Sequence, residues 1–173
     1  MLERPCPECG FESSKVPRDQ IPELIGANAL VWVEILAGNP GRLRRRPRED
    51  RWSVLEYACH VRDVFRVMDK RLNLMLSLDE SRFENWDQDQ TAEQDNYGDQ
   101  APAAVATELS AAAETLAEDF GGIEDNAWQR RGMRSDDASF TVETIGQFML
   151  HDVVHHVHDV TSDLAAPASR SGR

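Results

Sequence analysis

The sequence predicts an all-α fold, a four-helix bundle preceded by a short cysteine-bearing arm. Four segments carry apolar residues at helical spacing, caps and breakers bound them, and no segment has a convincing strand pattern. At 173 residues and 19.5 kDa the chain fits one domain with a single sizeable core.

Residues 1–16 are polar and aperiodic and read as the arm. From Pro17 to Gly38, the positions Ile21, Leu24, Ile25, Leu30, Val31, Val33, Ile35 and Leu36 mark a first helix, which Asn39-Pro40-Gly41 ends. A second opens at Ser53, whose hydroxyl can accept from the amide of Glu56 while that carboxylate reaches back, a capping box. Its positions Val54, Ala58, Val61, Phe65, Met68, Leu72 and Met75 alternate spacings of four and three, the seam of a bundle helix. Residues 79–101 form an acidic connection with little apolar content beyond Phe83, Trp86 and Tyr97, long enough to be a crossover rather than a tight turn.

Pro102 begins an alanine-rich third helix that runs to about Asp119 and stops at Gly121-Gly122. A turn containing Trp128 and the hairpin-like stretch RRGMRSDDAS then lead to the fourth helix, with Thr141 as N-cap and Glu143 in its first turn. The expected division is an arm over 1–16, a bundle over 17–164 and a disordered tail over 165–173.

A net charge of -12 and a pI near 4.8 argue against a nucleic-acid or anionic-membrane partner. The contrary patch, Arg42, Arg44, Arg45, Arg46 and Arg48, reads as a solvated loop or as a local clamp for an anionic ligand. No run of apolar residues is long enough for a transmembrane helix, and the start MLERPCPECG lacks the regions of a secretory leader. Three cysteines do not make a disulfide framework, so a reduced cytoplasmic setting is expected.

The chemistry concentrates in HDVVHHVHDV, residues 151–160, which holds four of the five histidines. At about 100° per residue, His151, His155 and His158 fall within a roughly 60° arc of one face. His156 points nearly opposite, in line with Met149, Val153 and Val160, and so reads as a core or boundary residue. Histidines at i and i+4 can chelate one ion, but residues seven apart sit about 10.5 Å apart along the axis. A third protein ligand must come from elsewhere, and His60 is the histidine left; it lies about 100° from the centre of its helix's apolar seam. Three ligands leave a position open for water or substrate, the catalytic pattern; the alternative is ordinary surface histidines. Glu56, Asp63, Asp152 and Asp159 are candidates to orient the imidazoles, and His158 reads as an orienting group, a proton shuttle or a solvated side chain.

Cys6-Pro7-Glu8-Cys9-Gly10 is half of a zinc-ribbon knuckle, without a second C-x2-C to complete it. It can be a second metal site completed by unidentified ligands, an intermolecular site, or no site at all. Cys59 neighbours His60 but is turned about 100° away, so it reads as a packed apolar residue.

RWSVLEYACHVRD together with the later H-x3-H of His151 and His155 resembles the DinB-like metalloenzyme superfamily over roughly residues 20–164. The CPECGF start, NWDQDQTAEQDNY and RSDDASFTVE resemble an actinobacterial branch of it. The resemblance implies a four-helix bundle whose three histidines hold a divalent metal, here His60, His151 and His155. Relatives include mycothiol-dependent maleylpyruvate isomerase and bacillithiol- and mycothiol-dependent S-transferases. Two departures stand out: Val157 and His158 replace a frequent glycine–glutamine, and the isomerase branch has glutamate in the first H-x3-H position, where this chain has His151.

The leading functional expectation is a metal-dependent S-transferase that uses a low-molecular-weight thiol such as mycothiol against a small electrophile. Zinc is the first choice of ion, with nickel, iron or manganese as alternatives. Trp86, Asp87, Asp89 and Tyr97 would supply a lid or substrate wall, or a solvated loop. Metal-assisted hydrolysis is the second enzymatic reading, a non-catalytic metal-binding or stress-associated protein the third, and a homodimer is an open option.

Overall fold

The capping box forms as the sequence requires. Ser53 Oγ accepts from the Glu56 amide at 3.3 Å and Glu56 Oε2 accepts from the Ser53 amide at 2.7 Å, starting α3 (Val54–Ser77). The seam positions Val54 to Met75 read from the sequence are all buried. This computed structural model describes residues 4–165, with the backbone alone for 163–165. Its other long helices are α1 (Ile21–Leu36), α5 (Pro102–Gly121) and α6 (Val142–Ala165). Two short helices, α2 (Pro40–Leu43) and α4 (Gln88–Gln94), lie in the connections. Ala165 closes α6, and the rest of the expected tail, 166–173, lies outside the described residues.

α5 packs against both α1 and α3, and α6 packs against the same two from the other side. Arg62 pairs with Glu108 at 3.0 Å and Asn73 with Asp119 at 2.7 Å, so α3 and α5 run in the same direction. Asn28 Nδ2 donates to Val153 O and Gln147 Nε2 to Val16 O, so α1 and α6 also run parallel. Arg51 meets Asp159 while Arg130 Nε donates to Met75 O, so α3 and α6 run antiparallel. Parallel neighbours cannot be joined by a tight turn. The acidic connection is therefore the crossover its length suggested, returning the chain along the bundle.

Three short strands, absent from the sequence reading apart from the hairpin-like stretch, cover the end of the bundle near Met75. β1 (Ser81–Phe83) pairs in parallel with β2 (Arg131–Arg134), which pairs antiparallel with β3 (Ser139–Thr141). They are too short to carry a recognisable alternation. Thr141 then caps α6, its Oγ1 accepting from the Thr144 amide at 3.1 Å. In α1 the buried face is Ile21, Ile25, Ala29, Trp32 and Leu36, whereas Leu30 and Val31 are exposed. That segment is apolar nearly all round, so its own pattern could not phase it; the packing of α5 and α6 does. Among the described residues no helix is long and apolar enough to cross a membrane.

Three arginines of the basic run have partners within the fold. Arg46 is paired with Glu56 (Nε to Oε2, 3.0 Å), Arg44 donates to Gln100 O at 2.9 Å, and Arg48 meets Asp50 at 3.3 Å.

The far end of the crossover is fastened to α3 by a buried polar network. Arg62 makes a two-point contact with Asp63 at 3.0 and 2.8 Å and reaches Gln100 Oε1 at 2.7 Å; the Tyr97 hydroxyl donates to Asp63 Oδ2 at 2.6 Å. Burial alone would raise the Asp63 carboxyl, but the bonds from Arg62 and Tyr97 and the charges of Arg62 and Arg66 outweigh it and hold the carboxyl below its usual range. A folded-state value below the unfolded value of about 3.9 means this contribution is complete above that pH and is lost as pH falls through the folded value. Tyr97→Phe removes one of the stabilising bonds. Acid titration followed by far-UV circular dichroism is expected to show an unfolding midpoint at higher pH for the variant, with a loss of about 1–3 kcal/mol at neutral pH.

Gly132 in β2 tests the sheet's seating. A β-carbon there would lie 2.7 Å from Phe83 Cε1 and 2.8 Å from Met75 Cγ. Gly132→Ala is expected to cost about 1–3 kcal/mol through overpacking, read as a lower denaturation midpoint at unchanged slope.

Candidate metal centre

α6 presents two residue pairs of the i, i+4 kind, displaced by one position: His151 with His155, and Asp152 with His156. One step along a helix is about 100° of rotation, so the pairs face different neighbours. Asp152 and His156 face α3, whereas His151 and His155 face the arm.

On the α3 side, His60, Asp152 and His156 converge, each offering one donor atom within 4.8 Å of the others. His60 Nε2 lies 3.6 Å from Asp152 Oδ2, and His156 Nε2 lies 3.6 Å from Asp152 Oδ1. The two rings stand edge to face with centroids 4.9 Å apart. Asp159 approaches His156 Nδ1 at 3.4 Å and is itself held by Arg51 at 3.1 Å. That contact favours a proton on Nδ1 and leaves Nε2 as a bare donor toward the centre, the usual arrangement of a carboxylate behind a ligating histidine.

The surroundings are aromatic. Trp86, from the crossover, stacks on His60 with centroids 5.3 Å apart and planes 2° from parallel. Trp52 lies 5.3 Å from the same ring, and Tyr57 lies 5.0 Å from His156. Under this cover His60 is 1 % exposed, not at the cleft edge expected from its helix position. The cleft beyond Trp52 encloses about 670 Å³ and is lined by Arg46, Glu56, Asp89, Glu93, Tyr97 and Asp99 among others.

Whether a divalent metal fits can be judged from the residues themselves. Both ring nitrogens of His60 are buried without a hydrogen-bond partner among the described residues, an arrangement that costs free energy unless something satisfies them. Burial would raise the Asp152 carboxyl, but the rings of His60, His156 and His151 outweigh it and hold it below the usual range, so it offers an anionic oxygen. Two imidazoles and one carboxylate suit open-sited zinc and iron, and the residues fit such an ion.

This arrangement corrects the helix-face reading. His60 does not meet His151 and His155; it meets His156, the histidine read as a core or boundary residue. The useful signal was the alignment of His156 with Met149, Val153 and Val160, all of which are buried. A histidine on the core face of one helix points at the core of the bundle, where His60 of the facing helix can meet it. Asp152, read only as an orienting group, supplies a donor atom.

The other predicted residues separate similarly. Trp86 reaches the centre and Asp89 lines the cleft, but Asp87 caps α4 by accepting from the Gln90 amide at 2.9 Å. Asp63 is spent on Arg62, Arg66 and Tyr97. His158 is half-buried with its ring 6.3 Å from that of His155. Cys59 is fully buried, its thiol pushed up to about 12 by burial, which agrees with a packed, unreactive residue.

Residues 27–160 match the DinB superfamily, and the chain belongs to that family. Among solved structures it is similar to YfiT from Bacillus subtilis, described as a probable metal-dependent hydrolase with an unusual four-helix bundle topology. That match has 17% identity and a TM-score of 0.71, over 90% of this chain and 89% of YfiT. It is also similar to the mycothiol-dependent maleylpyruvate isomerase, at 13% identity and a TM-score of 0.69 over 90% of this chain but 64% of the isomerase. No curated protein matches the sequence significantly.

If Asp159 orients His156 from behind, Asp159→Asn is expected to weaken divalent-ion binding at this centre by roughly 10–100-fold, and His156→Ala by more. Isothermal titration of the demetallated variants with zinc checks both; equal affinity for His156→Ala and the parent protein would overturn the assignment.

Proposed function

We propose that this chain is a divalent-metal-dependent enzyme that joins a low-molecular-weight thiol of the mycothiol type to a small electrophile. The observation that carries the reading is the convergence of His60, Asp152 and His156 beneath Trp52 and Trp86, with Trp52 also lining a neighbouring cleft of about 670 Å³. Three protein donors leave coordination positions open, the arrangement of catalytic rather than structural sites. The likeness to a mycothiol-dependent isomerase favours a thiol.

His60, Asp152 and His156 would hold a divalent ion, which when bound would supply the Lewis acidity that lowers a thiol's pKa. Asp152 and the two imidazoles hold the donor geometry, and Asp159 fixes the His156 ring. Trp52, Tyr57 and Trp86 exclude water, which strengthens the electrostatic interactions within. The new bond forms between the thiol sulfur and the electrophilic carbon, the leaving group departs with its electron pair, and the thiol proton passes to solvent. In the cleft, Glu56 neutralises Arg46, and Asp89, Glu93 and Asp99 add negative charge. The cleft thus suits a reactant rich in hydroxyl or ammonium donors rather than one held by its carboxylate.

Hydrolysis is the second reading, favoured by the same donor set, since two histidines and a carboxylate also serve hydrolytic zinc, and by the likeness to YfiT. Zinc-loaded protein assayed with mycothiol and a chromogenic electrophile is expected to consume both, and His156→Ala to lower the rate by at least ~10²-fold. Trp86→Ala, which leaves all three donors in place, is expected to keep the metal and lose turnover. Thiol-independent cleavage of esters or amides would favour the hydrolase, and tight metal binding without turnover a non-catalytic metal-binding protein.

A further inference from the structure

The second pair on α6 is not used by that centre, yet it is equally well placed. Cys6, Cys9, His151 and His155 each offer one donor atom within 4.8 Å of the other three. We infer that these four residues form a second metal site, a closed Cys2His2 zinc site that fastens the N-terminal arm to α6.

The arm is folded as a metal knuckle folds. Gly10 N donates to Cys6 O at 2.8 Å and Cys6 N to Phe11 O at 2.9 Å, closing a tight loop around the C-x2-C pair. Gly10 has a φ of 72°, in the left-handed region where glycine pays no side-chain penalty, and this turns the chain back after Cys9. Phe11 stacks on His151 with planes 17° apart and centroids at 6.4 Å, setting that ring against the arm. Farther along, Ser13 and Val16 are buried and Val16 O accepts from Gln147, so the arm lies along α6 beyond the knuckle as well.

Both imidazoles are presented as ligands. His155 Nδ1 lies 3.6 Å from Cys6 Sγ, while its Nε2 lies 3.2 Å from Glu8 Oε2. The carboxylate on Nε2 favours a proton there and leaves Nδ1 bare on the sulfur side. His151 Nε2 is buried with no hydrogen-bond partner among the described residues. A zinc tetrahedron with about 2.1 Å to nitrogen and about 2.3 Å to sulfur has nitrogen–sulfur edges of about 3.6 Å, the observed separation of His155 Nδ1 and Cys6 Sγ. Two thiolates select a soft or borderline ion over magnesium or calcium. Four protein ligands fill zinc's coordination, so this site is structural where the bundle centre is open.

The position gives the site a purpose. Cys9 and His151 lie on opposite sides of nearly the whole chain, so a bond through metal closes a very long loop. The braced helix carries Asp152 and His156 on its next face. Asp159 stands between the two sites, 3.8 Å from His155 Nε2 and 3.4 Å from His156 Nδ1.

The full chain, loaded with zinc under reducing conditions, is expected to hold two equivalents by elemental analysis. Cys6→Ser/Cys9→Ser is expected to lose one, and His60→Ala/His156→Ala to lose the other. Cobalt(II) replacement separates the sites: the thiolate-to-cobalt charge-transfer band should persist in His60→Ala/His156→Ala and vanish in Cys6→Ser/Cys9→Ser. Should the cysteine variant fail to fold, alkylation of the parent protein read by mass spectrometry serves instead, with zinc protecting Cys6 and Cys9. A cobalt-loaded parent without the charge-transfer band, or Cys6 and Cys9 alkylated equally fast with and without zinc, overturns the inference. Failure of the bundle centre would appear separately, as loss of the equivalent that depends on His60 and His156.

Discussion

An α-helix turns about 100° at each residue, so neighbouring side chains cannot aim at one point, whereas residues four apart can. The chemistry of this protein is organised by that constraint. Along one stretch of α6 the sequence interleaves His151–His155 with Asp152–His156, and the helix sends the first pair to the arm and the second to α3. The two groups of donors therefore share a backbone but not a ligand. Each is completed by residues distant in sequence, Cys6 and Cys9 on one side and His60 on the other.

Placing His60 opposite Asp152 requires α3 and α6 to run antiparallel in a fixed register, and several polar contacts hold that register. Arg51 reaches Asp159 near one end, and Arg130 satisfies the Met75 carbonyl near the other. The crossover then brings Trp86 over His60 and is pinned on α3 through Tyr97, Asp63 and Arg62. A buried arginine–aspartate pair is costly to desolvate and costlier to break, which suits it to fixing a long acidic connection that has little apolar surface of its own.

The chemical character of the two groups differs as their exposure does. In the bundle, His60 is enclosed by Trp52 and Trp86, so an orphaned imidazole is expensive and a bound cation correspondingly favourable. Beside the arm the donors are half-buried. There the backbone amide of Cys9, the His151 ring and the Glu8 amide hold the Cys6 thiol down at about 6, while burial raises that of Cys9. One environment suits a site with three donors under aromatic cover, the other a closed four-ligand knuckle.

Much of the fold was legible in the sequence because it depends on local chemistry. Ser53 with Glu56 starts α3, proline and glycine bound α5, Thr141 caps α6, and the four–three spacing from Val54 to Met75 is the buried seam. The presence of a histidine-rich helix with donors at metal-ligand spacing was legible for the same reason. What the sequence could not decide was which histidine met which partner. Helical periodicity gives the angle between His151 and His156 but not which neighbour lies at either angle, and α1 shows the same limit, since Leu30 and Val31 belong to the apolar pattern yet face outward. Only the tertiary structure, by setting α3 on one flank of α6 and the arm on the other, assigns His156 and Asp152 to His60 and leaves His151 and His155 to the cysteines. Composition and local spacing determine which donors exist and on which helix; their grouping depends on contacts between residues more than ninety positions apart, which no local pattern encodes.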